Sequence, residues 1–187
     1  MTIAVPVGLI LGIIASGKIV DNHSLFRAYI IIGSRLLLGA MRSIHELVWA
    51  VLFVAAIGLS PMAAIISLAI PYAGILGRIY SELIQDAPDQ TVETLRSAGA
   101  SPITSLMYGY IPLSLPDILS YTFYRFECAI RASAILSFIG IQGIGYQIQL
   151  SLHDLLFDQV WTLLFFLVAL IVLVDLWSTH LRRKLIE

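Results

Sequence analysis

Long apolar runs dominate this 187-residue chain, and they restrict it to very few folds. A helix needs roughly 20 mostly apolar residues to cross the hydrocarbon core of a bilayer. Five stretches approach that length: 2–17, marginal; 46–60, bounded by Gly58 and Pro61; 62–80; 113–140, long and charge-bearing; and 160–178, the cleanest. Hydrophobic residues make up 59% and charged residues 12%, against about 45–50% and about 25% in soluble domains. A soluble fold this apolar would expose large adhesive patches. Continuous runs, where a barrel would alternate, argue against an outer-membrane β-barrel. The expected fold is therefore all-α: a polytopic membrane protein with about five transmembrane helices in a single domain over residues 1–187.

Several function classes drop out early. A net charge of −1 gives no footprint for nucleic acid. The single cysteine, Cys128, has no partner for an internal disulfide and lies in an apolar stretch, as a small buried residue does. His23, His45, His153 and His180 are scattered without metal-ligand spacing, so no metal site is expected. Glu46, His45 and Asp175 lack partners at catalytic spacing, so no catalytic residues and no cofactor are expected. Met1 is followed at once by the apolar run Ile3–Ile14, without the basic n-region or cleavage site of a signal peptide. That run reads as a transmembrane helix that begins part-way through its span.

Residues 25–41 are apolar but interrupted by Arg27 and Arg35, with Arg42 just beyond. An arginine at the bilayer centre costs about 2.5–3.5 kcal/mol on insertion scales. An amphipathic helix at the membrane interface fits better than a sixth span. Lys18, Arg27, Arg35 and Arg42 lie between the first two spans, and Arg182, Arg183 and Lys184 close the chain. Residues 141–159 carry Asp154 and Asp158 and no lysine or arginine. The positive-inside rule places 18–45 and the C-terminus in the cytoplasm and 141–159 outside. Five spans give the same sidedness, and they put 81–112 in the cytoplasm as well.

That loop, about 85–112, is polar and helix-competent. Pro88 and the acidic Asp86 and Asp89 suit a helix start. Glu93, Leu95, Arg96 and Ala98 carry the helix to Gly99, which can take the left-handed conformation that ends one. Ser101-Pro102 reads as an N-cap and first position of a second short helix. Ile111-Pro112 breaks the chain before the next span. The loop is expected as helix, tight turn, helix, with Val92 and Leu95 on one face.

A glutamate, five residues and Gly99, followed by Ile111-Pro112, resembles the cytoplasmic coupling loop of permease subunits of binding-protein-dependent ABC importers. Thr94 and Leu95 stand where that motif has alanines. Arg42–Ala50, Leu52–Ala56, Glu93–Ser101, Tyr121–Glu127 and Gly140–Gly145 resemble the phosphonate/phosphate-type branch, with His45 in place of its usual proline. The likeness covers about 42–178 well and 1–41 loosely, and implies a short or truncated start. It implies a type I importer permease architecture in a prokaryotic cytoplasmic (inner) membrane, with the C-terminus cytoplasmic. It also implies a path for phosphonate, phosphate or a related oxyanion. The partners it implies are cytoplasmic ATPase subunits, a second permease subunit (a homodimer, for a stand-alone permease) and an extracytoplasmic substrate-binding protein. The chain has no glycine-rich Walker loop, so it is not expected to hydrolyse ATP itself. Glu93, Leu95, Gly99, Ala100 and Pro112 take the ATPase-coupling role in this resemblance. An inactive remnant, or a permease for another small solute, is the alternative.

Asp117, Arg125, Glu127 and Arg131 fall in or near the fourth run. Intramembrane charges usually face a bundle interior or an aqueous path. Glu127 and Arg131 share a helix face at i, i+4. Two readings stay open: an ion pair that ties helices together, or an arginine lining the path, where guanidinium geometry suits an oxyanion. Gly140–Gly145, with three glycines in six residues, is expected to turn the chain into a short re-entrant or interfacial segment at 146–156. It reads either as a flexible linker or as an outer gate or binding-protein contact.

Overall fold

A computed structural model describes residues 1–18, 25–141 and 143–186. Residues 19–24 (with His23), Gln142 and Glu187 lie outside it, as do the side chains of Arg27, Arg182, Arg183 and Lys184. The described residues are helical almost throughout. In chain order the helices are α1 (Ala4–Ser16), α2 (Leu25–Ser43), α3 (Glu46–Ile57), α4 (Pro61–Asp86), α5 (Asp89–Ser97), α6 (Pro102–Ser105), α7 (Ile111–Leu136), α8 (Ile144–His153) and α9 (Phe157–Ile186). A π-helical turn, Leu106–Tyr110, leads into α7, and a 3-10 turn, Ser137–Ile139, follows it.

The helix boundaries follow from local chemistry. His45 sits outside α3 and its Nδ1 accepts the Leu47 amide at 3.3 Å, so the histidine caps the helix. Ser60 caps α4 through the Ala63 amide at 3.3 Å, and Pro61 takes a first-turn position that needs no donor. Gly58 closes α3 after only 12 residues. The run 46–60 is therefore too short to span alone, and α1, with 13 residues, is also short. The charges of α7 interrupt its apolar window. Among the described residues two helices, α4 and α9, are long and apolar enough to cross a membrane, or three if the broken pair α2–α3 counts as one span. The five apolar runs thus translate into fewer full-length helices than their hydropathy suggests.

The chain divides into two compact units. In the first (Met1–Ser43 with Tyr72–Thr122), α1 lies against α4 through glycines. A Cβ on Gly12 would stand 2.8 Å from the Gly77 carbonyl oxygen, and one on Gly8 would stand 3.1 Å from that of Ala73. On the α2 side of α4, Leu38 is fully buried and reaches over Gly77. The helix expected at the interface packs on this unit along one stripe, with Ser34 and Leu38 buried, while Tyr29, Ile32, Leu36 and Leu37 stay exposed. Tyr80 is fully buried, and its hydroxyl meets Thr122 Oγ1 at 2.5 Å. Ser114 donates to the carbonyls of Tyr110 (2.9 Å) and Leu83 (3.1 Å), joining α7 to α4.

The second unit comprises Ile44–Pro71 and Phe123–Glu187. Here α8 packs on the first turns of α9, where Ser151 donates to Gln159 Oε1 at 3.4 Å. Gly140, Ile141, Gly143 and Tyr146 share a cavity of roughly 770 Å³ with Leu167, Leu170 and Ile171. Those α9 residues lie ten or more positions inside the helix, about 15 Å from its start. The segment between α7 and α9 therefore runs alongside a membrane-length helix, as a re-entrant element does. Irregular backbone at such depth is tolerated where it lines a cavity, and the glycine corner does so. Phe165, Phe166, Leu173 and Leu176 leave the outer face of α9 apolar and exposed, as a lipid-facing helix requires.

Candidate functional site

The polar segment between α4 and α7 folds as its residues dictate. Asp89 opens α5 at the positive end of the helix dipole, just after Pro88. At the other end the Gly99 amide donates to the Arg96 carbonyl (2.9 Å) and the Ala100 amide to that of Leu95 (3.1 Å). This pair of bonds is the Schellman motif, and it requires Gly99 at φ +86°. No other atom lies within 4 Å of a Cβ built on Gly99. The glycine is demanded by its backbone conformation, and the space above it is open. Ser101 then caps α6, accepting the Thr104 amide at 3.3 Å, with Pro102 in the first position.

The two arms of this hairpin pack closely at Gly109. A Cβ on Gly109 would stand 2.9 Å from Val92 Cγ2 and 3.4 Å from Leu95 Cδ1, so the π turn rests directly on α5. Val92 is fully buried there and Leu95 half-buried. The π turn itself, with the Ile111 amide bonded to the Leu106 carbonyl, lies just before Pro112. A proline lacks a donor and crowds the carbonyl four residues back. A widened turn accommodates both effects. Glu93, Gly99 and Pro112 are exposed and Ala100 is half-exposed, so the residues expected to meet a partner are at the surface. Beside them Ile103 (62% exposed), Met107 (58%) and Tyr108 (76%) form an apolar patch that the chain itself leaves uncovered.

A second constellation holds the base of α5. Asp89 Oδ1 accepts from Lys18 Nζ at 2.8 Å and from the Tyr110 hydroxyl at 2.6 Å. Lys18 also donates to the Tyr110 oxygen at 3.3 Å and lies 4.4 Å from the centre of its ring. The Lys18 hydrogen bond, then that of Tyr110, holds the Asp89 carboxyl below its ordinary range. Burial opposes the charge on Lys18, but its bonds to Asp89 and Tyr110 outweigh it and the ammonium titrates above its usual value. Burial, then the bond to Asp89, raises Tyr110. Sequence reading used Lys18 only for orientation and Asp89 only for the helix dipole. It missed Gly109, Tyr110 and the π turn; Pro112 was the one local signal for that turn.

Of the charges on α7, Glu127 is buried (5% exposed). Arg125 lies 5.9 Å from the Tyr124 ring. Arg131 reaches Asp175 of α9, with Nη2 3.8 Å from Oδ1 and both side chains about half exposed. The ion pair thus ties α7 to α9, with a partner the sequence did not indicate. Among the described residues there is no cluster of metal-ligating side chains. The assembled site offers shape, an apolar patch and a stiff turn, which suits docking and the transmission of movement.

The family described as "Binding-protein-dependent transport system inner membrane component" matches residues 4–187. The chain is similar to the phosphite transport system permease protein PtxC of Stutzerimonas stutzeri, 30% identical over 181 residues, covering 97% of this chain and 64% of that protein. It is also similar to the phosphate-import permease protein PhnE of Mycolicibacterium smegmatis, 28% identical, covering 98% of this chain and 34% of that protein. The chain therefore spans less than two thirds of either relative. Among solved structures, an amino acid ABC transporter crystallised with histidines superposes with a TM-score of 0.76 at 20% identity, covering 98% of this chain and 87% of that one. That likeness shows the fold.

Proposed function

Because the chain belongs to the binding-protein-dependent transport system inner membrane components, we propose that it is the permease subunit of an ABC importer for phosphonate, phosphate or a related oxyanion. Separate cytoplasmic ATPase subunits drive it. A second copy completes the path, and an extracytoplasmic binding protein delivers the solute. In this reading the α5–turn–α6 hairpin faces the cytoplasm, as does the C-terminus, and the hairpin seats in a cleft of the ATPase. The observation that carries the proposal is the exposed patch of Ile103, Met107 and Tyr108 beside a turn stiffened by Gly99. The oxyanion class is supported by the phosphite and phosphate relatives and by the guanidinium groups of Arg125 and Arg131 on α7.

The test is a pull-down in mild detergent, followed by an ATPase assay, of wild type against Gly99→Asp. Co-purification of an ATPase with wild type and its loss in the variant is the expected result. No ATPase with either would overturn the reading. An assembled complex that hydrolyses ATP but imports none of these anions would point to an inactive remnant or a different solute.

A further inference from the structure

The last turn of α1 and Lys18 just beyond it collect contacts from four other parts of the unit. The Ala15 carbonyl accepts Arg35 Nε of α2 at 3.2 Å, and the Ser16 carbonyl accepts Gln85 Nε2 of α4 at 3.3 Å. Both oxygens belong to the last turn of a helix, where carbonyls lack internal partners and the dipole is negative. Two residues on, Lys18 reaches Asp89, the first residue of α5, and Tyr110, the last residue before α7. The end of α1 is thus joined to the base of the docking hairpin and to the point where that hairpin returns to the membrane.

Resting on the permease reading, we propose that Lys18, Asp89 and Tyr110 are positioning residues that make α1 a second transmission point for the ATPase stroke. A hairpin that docks through Gly99 and its neighbours can swing about its base. The Asp89 carboxylate holds that base with two charge-assisted bonds from different parts of the chain; its side chain is 61% exposed, so the hold is that of a surface pair with two donors on one oxygen. Movement of α5 is therefore imposed on α1 as well as passed along the chain into α7. Through Gly8 and Gly12, α1 lies in direct backbone contact with α4, so the displacement reaches that helix too. None of the three residues belongs to the exposed apolar patch, so loss of the tether separates docking from transmission.

The test has two arms. In the first, the permease alone in lipid nanodiscs carries Cys128→Ser and a spin label at Thr94→Cys, an exposed position on α5. Asp89→Asn, Lys18→Met and Tyr110→Phe each raise label mobility, and Lys18→Arg does so least. Unchanged mobility in Asp89→Asn and Lys18→Met overturns the tether. In the second arm, the complex with its ATPase and binding protein is reconstituted in liposomes. The same variants retain the ATPase but import less phosphate or phosphonate per ATP hydrolysed, by up to about fivefold, the most that an exposed charge pair supplies. Greater mobility with an unchanged ratio overturns the transmission role. A wild-type complex that imports neither phosphate nor phosphonate overturns the oxyanion-importer reading and the transmission role with it, and the first arm then decides the tether alone.

Discussion

Substituting Gly12 by alanine places a methyl group where the backbone of α4 already stands. The new Cβ lies 2.8 Å from the Gly77 oxygen and 3.0 Å from Tyr80 Cβ. Neither neighbour is the end of a flexible side chain, so α1 and α4 must part by roughly half an ångström to restore ordinary contact. Parting them loosens the fully buried Tyr80, whose hydroxyl bond to Thr122 joins α4 to α7. Overpacking of this kind costs about 1–3 kcal/mol, against the roughly 0.5–1 kcal/mol that alanine gains over glycine inside a helix. The net effect is a loss of about 0–2.5 kcal/mol, centred on about 1.3 kcal/mol, nearly tenfold in the folding equilibrium. Gly39→Ala on α2 is the control. It is also helical, with no other atom within 4 Å of the added Cβ, so only the gain remains and the variant becomes more stable. Steric-trap or thermal unfolding of the detergent-solubilised permease gives both values. Gly12→Ala as stable as Gly39→Ala would refute the close-packing argument.

Two further outcomes follow from the hairpin. Gly99→Ala meets no clash but forces a side chain into the left-handed region, which costs roughly 1–2 kcal/mol; ATPase affinity of the complex should fall about tenfold, and unchanged affinity would contradict the turn's role. The Asp89 tether should be insensitive to pH across the neutral range. Asp89, lowered by Lys18, Tyr110 and the nearby Arg96, contributes fully above the ordinary value near ~3.9 and is lost only as pH falls through its lower folded value. Lys18 and Tyr110, both raised, contribute fully below ~10 and are lost only as pH climbs through their folded values. Label mobility at Thr94→Cys that changes between about pH 5 and about pH 9 would contradict that sign.

The hairpin was legible in the sequence because its determinants act within a turn or two. Pro88, Gly99 and Ser101-Pro102 each satisfy or forgo a particular backbone group, and each sits in the structure where that chemistry places it. Hydropathy was a poorer guide to the number of spans. The run 46–60, bounded by Gly58, gives a helix of only 12 residues, which reaches spanning length only as a broken pair with α2. The tether was not legible at all: Lys18 and Asp89 are 71 positions apart, and nothing near either one marks the other. The same holds for Arg131 on α7 and Asp175 on α9.

A stiff turn alone transmits nothing. The Schellman bonds around Gly99 keep α5 and α6 at a fixed angle, and the Gly109 contact with Val92 and Leu95 locks the two arms together. Those contacts make the hairpin one body, free to rock about its ends. Asp89 stands at one end and Tyr110 at the other, and the two are bonded to each other and to Lys18. The hairpin is therefore closed into a loop at its base and fixed to a third helix, which converts rocking into displacement. Breaking the turn should remove docking, whereas breaking the base should spare docking and waste the stroke. That division predicts opposite signatures for Gly99 and Asp89 variants in one reconstituted assay: loss of bound ATPase for the first, and futile hydrolysis for the second.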